Sequence, residues 1–415
     1  MPNKTMTSRE RVWETLNFRE PDRVPIDIGS NYATSICVDA YVELLKYLGY
    51  EELLPPKAYE PFFMLARNDE KVIRRLCCDV IALENPSMRW GVENTDWKPW
   101  VNQKGNTILM PGGIQTVERD GFTYIVKDGK DFGYMPKGGL YFDFLESLNL
   151  ASLELKKTDP EGLKKSIPLY SEKHLRQLEE EAKRLHNNTE YSICGGFCQG
   201  GFTMVPSIAG HSFADWLCLL LTEQDYAYSI LQALAERAVE NVKLYIEAVG
   251  KYIDTIFISS TDYGTQRNEM FSPDIFKKLY VPNYKLINDY VHANCRAKTL
   301  FHCCGSIFNL FEHFINAGVD IMNPIQIGAE NMDPVRIKQT FEKRIVLWGG
   351  GVDTQKTLPF GSTYDVKKEV ADMLKKMAPG GGYVFTQVHD IQYGVPPENV
   401  LAMIDAVLEY GNYPI

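Results

Sequence analysis

The chain has 415 residues, of which 45% are hydrophobic and 24% are charged, values that are ordinary for a globular protein with a large core. Its formal net charge of −10 argues against nucleic acid as a partner, because binding a polyanion needs a surplus of Lys and Arg on one face. No window approaches the roughly 18 uninterrupted apolar residues of a membrane helix, and the first residues lack the apolar region of a secretory signal. We therefore expect a cytoplasmic protein that acts on a small molecule and has no membrane partner.

Short β-branched or apolar runs recur along the chain and predict eight strands. A capping box at Thr7-Ser-Arg-Glu10 predicts a first helix before them. The predicted strands are Val24–Ile28, Asp79–Leu83, Tyr191–Cys194, Thr255–Ile258, Ala297–Phe301, Val319–Met322, Ile345–Trp348 and Tyr383–Thr386.

Helical patterns separate the later strands. They cover 213–249, 273–294, 307–317, 334–342, 363–377 and 397–410. Alternating strands and helices indicate a parallel sheet, and eight such units close into a (β/α)8 TIM barrel of the α/β class. Ser362 is placed to cap one of these helices, and Pro396-Pro397 to begin the last.

The helical period is absent between the second and third predicted strands. Two Asp-Gly pairs, Asp120-Gly121 and Asp128-Gly129, lie there among alternating β-formers, which is typical of hairpins. We therefore predict a single domain over 1–415 that carries a β-rich insertion over 87–159, serving as a lid or as a dimer contact.

The active sites of TIM barrels lie at the carboxyl ends of the strands. Polar side chains follow almost every predicted strand of this chain. They include Glu84, Gln199, Asp262, Gln266, His302, Cys304, Asn323, Gln326, Asp353 and His389.

His302 and Cys304 are two residues apart, so on an extended segment their side chains point to the same face, and that of Cys303 to the other. An imidazole and a thiolate on one face suit a zinc chelate. A third ligand is then needed, and the candidates are His389, Asp262 and Glu84. Two other interpretations stay open: a hydrogen-bonded core histidine beside a small hydrophobe, and a thiol nucleophile activated by the imidazole.

The remaining cysteines and glycines carry weaker signals. The chain has nine cysteines without the regular spacing of a disulfide framework, so most are expected to be free and buried. The glycines of Gly195–Gly201 lack the order of a dinucleotide-binding loop and predict only a tight turn. Asp262 is open to three roles: a base, a metal ligand or a helix cap.

Five motifs occur in order along the chain. They are Phe18-Arg-Glu-Pro-Asp-Arg-Val-Pro-Ile26, Phe301-His-Cys-Cys-Gly-Ser306, Gly318-Val-Asp-Ile-Met-Asn-Pro-Ile-Gln326, Trp348-Gly-Gly-Gly-Val-Asp353 and Val395-Pro-Pro-Glu-Asn-Val400. These motifs resemble the uroporphyrinogen decarboxylase superfamily, and the similarity runs over nearly the whole chain. The resemblance implies a (β/α)8 barrel, in agreement with the strand count. True decarboxylases of this superfamily carry an arginine-rich segment after the first strand, whereas 27–34 of this chain contain no arginine. A substrate with many carboxylates would be repelled there.

The other branch that the chain is similar to consists of zinc-dependent methyltransferases that work with a corrinoid protein. In that branch zinc is held by a His-x-Cys pair after strand five, matched by His302 and Cys304, and by a cysteine after strand eight. Here His389 lies at the position of that cysteine, so the ligand set carries one negative charge fewer.

The resemblance implies methyl transfer between a small methylated compound, or a thiol or pterin acceptor, and a corrinoid that a partner protein supplies. Zinc on His302, Cys304 and His389 is expected. Asp262 and His389 would be catalytic, and Gln199, Gln266, Asn323, Gln326 and Asp353 would bind substrate. The alternative is a metal-independent decarboxylase or lyase that uses Asp262 and His389 as acid and base. A homodimer is compatible with either interpretation.

Overall fold

The structure is a computed structural model and describes residues 5–88, 91–127, 129–145, 157–196 and 210–415. Its centre is a parallel sheet of seven strands that follow one another in chain order. The strands of the described regions are β1 (Ala58–Glu60), β2 (Leu65–Ala66), β3 (Val80–Leu83), β4 (Lys98–Val101), β5 (Thr107–Met110), β6 (Gln115–Arg119), β7 (Phe122–Lys127), β8 (Lys130–Pro136), β9 (Asp143–Phe144), β10 (Ser192–Gly195), β11 (Thr255–Ser260), β12 (Lys298–His302), β13 (Ile321–Asn323), β14 (Val346–Trp348) and β15 (Tyr383–Val384).

The parallel register brings the carboxyl ends of these strands to one edge. His302, the last residue of β12, pairs with Ser260 of β11 and with Asn323 of β13. The strands in sheet order are β3, β10, β11, β12, β13, β14 and β15. This arrangement confirms the predicted TIM-barrel type of α/β fold.

The first predicted strand, Val24–Ile28, forms only an isolated bridge between Ile26 and Phe385, just beyond β15. Pro25 has no N–H to donate, and the N–H of Ile26 is bound by the Asp79 carboxylate at 2.8 Å. The segment nevertheless joins the two ends of the sheet. The Ile26 carbonyl accepts the Asp79 N–H (2.7 Å), and the Asp27 backbone N–H donates to the Phe385 carbonyl (2.9 Å). The Asp79 carboxylate and the missing N–H of Pro25 thus interrupt the regular ladder of hydrogen bonds at this position.

The helices surround the sheet. They are α1 (Ser8–Leu16), α2 (Val38–Leu48), α3 (Glu70–Arg75), α4 (Pro160–Ser166), α5 (Glu172–Asn188), α6 (Phe213–Thr222), α7 (Gln224–Val249), α8 (Pro273–Ile275), α9 (Val281–Asn294), α10 (Phe311–Asn316), α11 (Pro334–Phe341), α12 (Thr357–Phe360), α13 (Thr363–Met377) and α14 (Pro397–Tyr410). In none of the described helices is there a stretch both long and apolar enough to cross a bilayer.

Two helix predictions differ from the structure in detail. The pattern over 213–249 is divided at Glu223, whose backbone is non-helical (φ −133°), into α6 and α7. Over 307–317 a 3₁₀ turn, Phe308–Leu310, precedes the short helix α10. The capping boxes at Thr7 and Ser362 form as predicted.

The predicted insertion contains antiparallel hairpins. β4 pairs with β5, and β6 to β9 form a four-stranded sheet. Asp120 and Gly121 make the β6–β7 turn with positive φ angles of 50° and 79°, as an Asp-Gly hairpin requires. Asp128 of the second predicted pair lies outside the described residues. The amides of Asn102 and Asn106 donate to the Asp39 carboxylate of α2, at 2.6 and 2.7 Å, which holds the β4–β5 hairpin against the barrel.

A separate apolar cluster fills the interior of the barrel. It contains Val80, Cys194, Phe257, Leu300, Ile321, Val346, Trp348 and Val384, and α1 adds Val12 and Leu16 from the amino-terminal end. Beside α1, the buried Asp79 pairs with Arg11 (2.6 Å) and Arg23 (2.7 Å). Helix α1 therefore closes one end of the barrel, and the opposite end carries the polar residues described next.

Candidate metal centre

His302 is held at the end of β12 with one ring nitrogen directed at Cys304. Its Nδ1 lies 2.8 Å from Oδ1 of Asn323, and Nδ2 of Asn323 donates to the Trp348 carbonyl at 3.0 Å. A carbonyl can only accept, so the amide of Asn323 must present its oxygen to His302. Nδ1 therefore carries the proton, and the Nε2 lone pair faces Sγ of Cys304 at 3.4 Å. This is the tautomer that binds a metal through Nε2.

The turn after β12 fixes Cys304. Its backbone N–H donates to Oδ1 of Asp262 at 2.7 Å, and the next N–H, of Gly305, donates to Oε1 of Gln326 at 2.6 Å. Gly305 has φ +97°, and a Cβ there would lie 2.4 Å from the Gly264 backbone. Only glycine fits this turn, and strand parity holds as predicted: Cys303 is fully buried on the other face, where its Sγ accepts the Tyr263 N–H at 3.3 Å.

His389, in the loop after β15, comes to the same place. Its ring centroid lies 5.4 Å from that of His302. One ligand atom from each of His302, Cys304 and His389 lies within 4.8 Å of the other two. Two imidazole nitrogens and one thiol sulfur are a donor set that zinc accepts, and they leave a coordination position for a further ligand.

The immediate partner of His389 is Asp390. The backbone N–H of Asp390 donates to Nδ1 of His389 at 2.8 Å, and its Oδ2 lies 3.4 Å from the same nitrogen. Burial lowers the pKa of His389, but the Asp390 carboxylate and the Cys304 sulfur raise it further, to about 10. Burial also raises the pKa of the Cys304 thiol, although the bond to His389 opposes this effect.

Asp262 lies beside the two donors of β12. In addition to its bond to Cys304, its Oδ1 is 3.8 Å from Nε2 of His302, and its side chain is 48% exposed. It therefore positions the Cys304 backbone and presents a carboxylate to the solvent side of the site. Glu84, the other carboxylate considered as a ligand, is engaged by Arg67 at 3.0 Å.

A cavity of about 180 Å³ opens beside two of the donors, Cys304 and His389. It is lined by Gln266, Cys304, Gln326, Gly328, Asp353, Thr354, Gln355, Val388 and His389. The structure thus brings three of the predicted substrate-binding residues, Gln266, Gln326 and Asp353, to the candidate ligands. Asn323 is fully buried behind His302 and does not line this cavity, and Gln199 lies outside the described residues.

Several site residues were not assigned a role from the sequence. Asp390 follows His389 directly, and Thr354 and Gln355 follow Asp353. The only feature of the sequence that could have pointed to these residues is that they lie next to predicted site residues. The positioning role of Asn323 had no such signal, because it depends on the pairing of β12 with β13.

A larger cavity, of about 550 Å³, lies between β3 and α5 and contains none of the three candidate ligands. Most of its charged groups neutralise one another: Arg67 pairs with Glu84, and Arg184 with Glu181 at 2.7 Å. Of the three candidate ligands, Cys304 and His389 line the smaller cavity.

Comparisons with known proteins agree with this architecture. The family model described as uroporphyrinogen decarboxylase (URO-D) matches residues 147–410, more than half of the chain. Among solved structures, a methyltransferase from Methanosarcina mazei aligns with a TM-score of 0.56 and 17% sequence identity, over 98% of this chain and 99% of that one. That similarity establishes the fold. No curated protein matches the sequence. The chain belongs to the uroporphyrinogen decarboxylase family.

Proposed function

We propose that this protein is a zinc-dependent methyltransferase that moves a methyl group between a small compound and a corrinoid carried by a partner protein. The observation that supports it most is the convergence of His302, Cys304 and His389 within 4.8 Å. The solved structure with the same fold that is described as a methyltransferase adds support. On the small-molecule side we infer a methylated compound, or a thiol or pterin acceptor.

The donors fit zinc in number and in chemistry. Asn323 accepts the Nδ1 proton of His302, so Nε2 is the ring nitrogen that faces Cys304 and would bind the metal. Cys304 supplies the anionic ligand and His389 the third position. When bound, a zinc ion supplies a Lewis acid that lowers the pKa of a coordinated thiol or alcohol.

The surrounding residues bind and orient the substrate in this proposal. Gln266, Gln326 and Asp353 line the cavity beside Cys304 and His389, and we assign Gln199 to the same mouth. Asp262 keeps Cys304 in place through its backbone N–H. We assign its exposed carboxylate, 3.8 Å from Nε2 of His302, as the group that exchanges a proton with the bound ligand. Closely held reacting groups are the main contribution that a protein makes to a displacement reaction.

A specific observation also favours a second candidate, a metal-independent decarboxylase or lyase. The pKa of His389 is raised to about 10, so its imidazole is a candidate general acid, and the exposed carboxylate of Asp262 is the candidate base. The cavity does not suit a substrate with many carboxylates, because no lysine or arginine is found among its described lining residues.

Metal analysis of the purified protein, combined with an anaerobic methyl-transfer assay using a methylated corrinoid protein and a panel of thiols, tests the proposal. We expect one zinc per chain, and transfer that a chelator abolishes and added zinc restores. Zinc content that persists in the His302→Ala, Cys304→Ala double variant would refute the metal site. Turnover of a carboxylic acid that is insensitive to chelators would support the lyase instead.

A further inference from the structure

The cavity beside the candidate ligands is lined by a carboxylate but by no lysine or arginine among the described residues. Apart from the candidate ligands Cys304 and His389, its polar lining consists of three neutral amides, one hydroxyl and the carboxylate of Asp353. Arg267 and Lys356, the basic residues nearest along the chain to Gln266 and Gln355, are exposed and do not line it.

Asp353 is oriented so that one oxygen is left for a ligand. Its Oδ1 accepts the backbone N–H groups of Gln355 (2.6 Å) and Lys356 (3.0 Å). Its Oδ2 lies over Gly328, where a Cβ would approach it to 3.2 Å. No donor to Oδ2 is found in the described part of the chain.

Other carboxylates strengthen the negative potential at this end of the barrel. Oε1 of Glu369 accepts the backbone N–H of Asp353 at 2.7 Å. On the side of the metal centre, Asp262 contacts Cys304, and Asp390 contacts His389. Carboxylates around a partly enclosed cavity attract cations and repel anions, and the effect is larger than in bulk water because the local dielectric constant is lower.

We propose that this cavity selects a small ligand with a positively charged head group, which binds to Asp353 while the methyl-bearing or methyl-accepting heteroatom lies beside Cys304 and His389. The inference rests on the proposed function and adds the class of substrate: a small amine or quaternary ammonium compound that carries a thiol or thioether. The volume of about 180 Å³ restricts the ligand to a few heavy atoms beyond the heteroatom. An anionic thiol of the same size is disfavoured, because no lysine or arginine is among the described lining residues and three nearby carboxylates outnumber the single positive charge that His389 can carry.

Calorimetric titration of the full-length protein with three S-methyl thioethers of equal length tests this selection. The probes are 2-(methylthio)ethylamine, 2-(methylthio)ethanol and 2-(methylthio)ethanesulfonate, and their thioether sulfur removes differences in thiol acidity. We expect the amine to bind about tenfold more tightly than the alcohol, and the sulfonate more weakly than both. Equal or tighter binding of the sulfonate, or no binding of the amine at millimolar concentration, would overturn the proposal.

The Asp353→Asn variant separates the head-group contact from the rest of the site. It should reduce the preference for the amine over the alcohol to less than about threefold, while the affinity for the alcohol stays as in the wild type. Asp372→Asn, a matched change at an exposed position of α13, should leave the preference intact. An unchanged preference in Asp353→Asn would show that Asp353 only caps the turn.

Each titration is carried out with zinc-loaded and with metal-free protein, so that the two proposals can fail separately. The order of the three head groups should be the same in both forms, because Asp353 contacts none of the candidate metal ligands. Absence of zinc binding with the order preserved would refute the metal centre and leave the charge selection standing. Tight zinc binding with the sulfonate preferred would refute the charge selection and leave the metal centre standing.

Discussion

Asn323 determines which nitrogen of His302 is available to a metal. The amide nitrogen of Asn323 donates to the Trp348 carbonyl, so the amide oxygen is the atom that faces His302. Nδ1 of His302 therefore donates to Oδ1 of Asn323, at 2.8 Å. Trp348 is in turn held by its indole N–H, which donates to the buried Asp27 carboxyl at 2.8 Å. A chain of three hydrogen bonds thus links the barrel interior to the candidate metal centre.

Replacing Asn323 by Ala should weaken zinc binding by about 10- to 100-fold, as is typical when the group that orients a metal-bound histidine is removed. Competition with a chelating dye measures the affinity. Asn288→Ala is the matched control, since Asn288 is equally buried and donates to a backbone carbonyl (2.7 Å) away from the site. An Asn323→Ala protein with wild-type zinc affinity would contradict the role assigned to this amide.

Single substitutions should divide the cysteines and histidines of the site into ligands and bystanders. His302→Ala and Cys304→Ala should lose stoichiometric zinc, whereas Cys303→Ala should keep it, because Cys303 is buried on the opposite face of the strand. His389→Cys should bind zinc at least as tightly as the wild type, since a second thiolate adds negative charge to the ligand set. Elemental analysis after dialysis gives the stoichiometry, and loss of zinc in Cys303→Ala would refute the assignment by strand parity.

Zinc affinity should rise with pH between about 6 and 9. The pKa of His389 is raised to about 10 and that of the Cys304 thiol is also raised, so below these values protons compete with the metal for both ligands. His389→Gln should bind zinc more weakly and show a smaller slope of log affinity against pH, by about one proton. A slope that is the same in both proteins would mean that His389 does not release a proton on binding.

Removing the buried carboxylate at the other end of the barrel should affect stability rather than metal binding. Asp79→Ala leaves Arg11 and Arg23 without their partner and is expected to lower the free energy of unfolding by about 3–5 kcal/mol. Arg19→Ala, which breaks an exposed pair with Glu14, should have a much smaller effect, because water screens that pair. Urea denaturation gives both values, and similar effects of the two changes would contradict the importance of burial.

Much of the barrel and part of the site could be predicted from local patterns. The later strands and helices follow from hydrophobic period and capping residues, and both act over a few residues. The first strand was the exception. Its hydrophobic pattern was correct, but the Asp79 carboxylate, 53 residues from Ile26, takes the N–H that a regular ladder would use.

The sequence by itself determined that His302 and Cys304 share a face at the end of a strand, because alternation along an extended chain is a local property. It could also show that 27–34, at the end of the first predicted strand, contain no arginine. Only the tertiary structure decided that His389, 85 residues after Cys304, lies within 4.8 Å of both residues, and that Asn323 supports His302 instead of lining the cavity. These relationships depend on the closure of the sheet and on the register between strands, which the packing of the whole chain sets and no local pattern encodes.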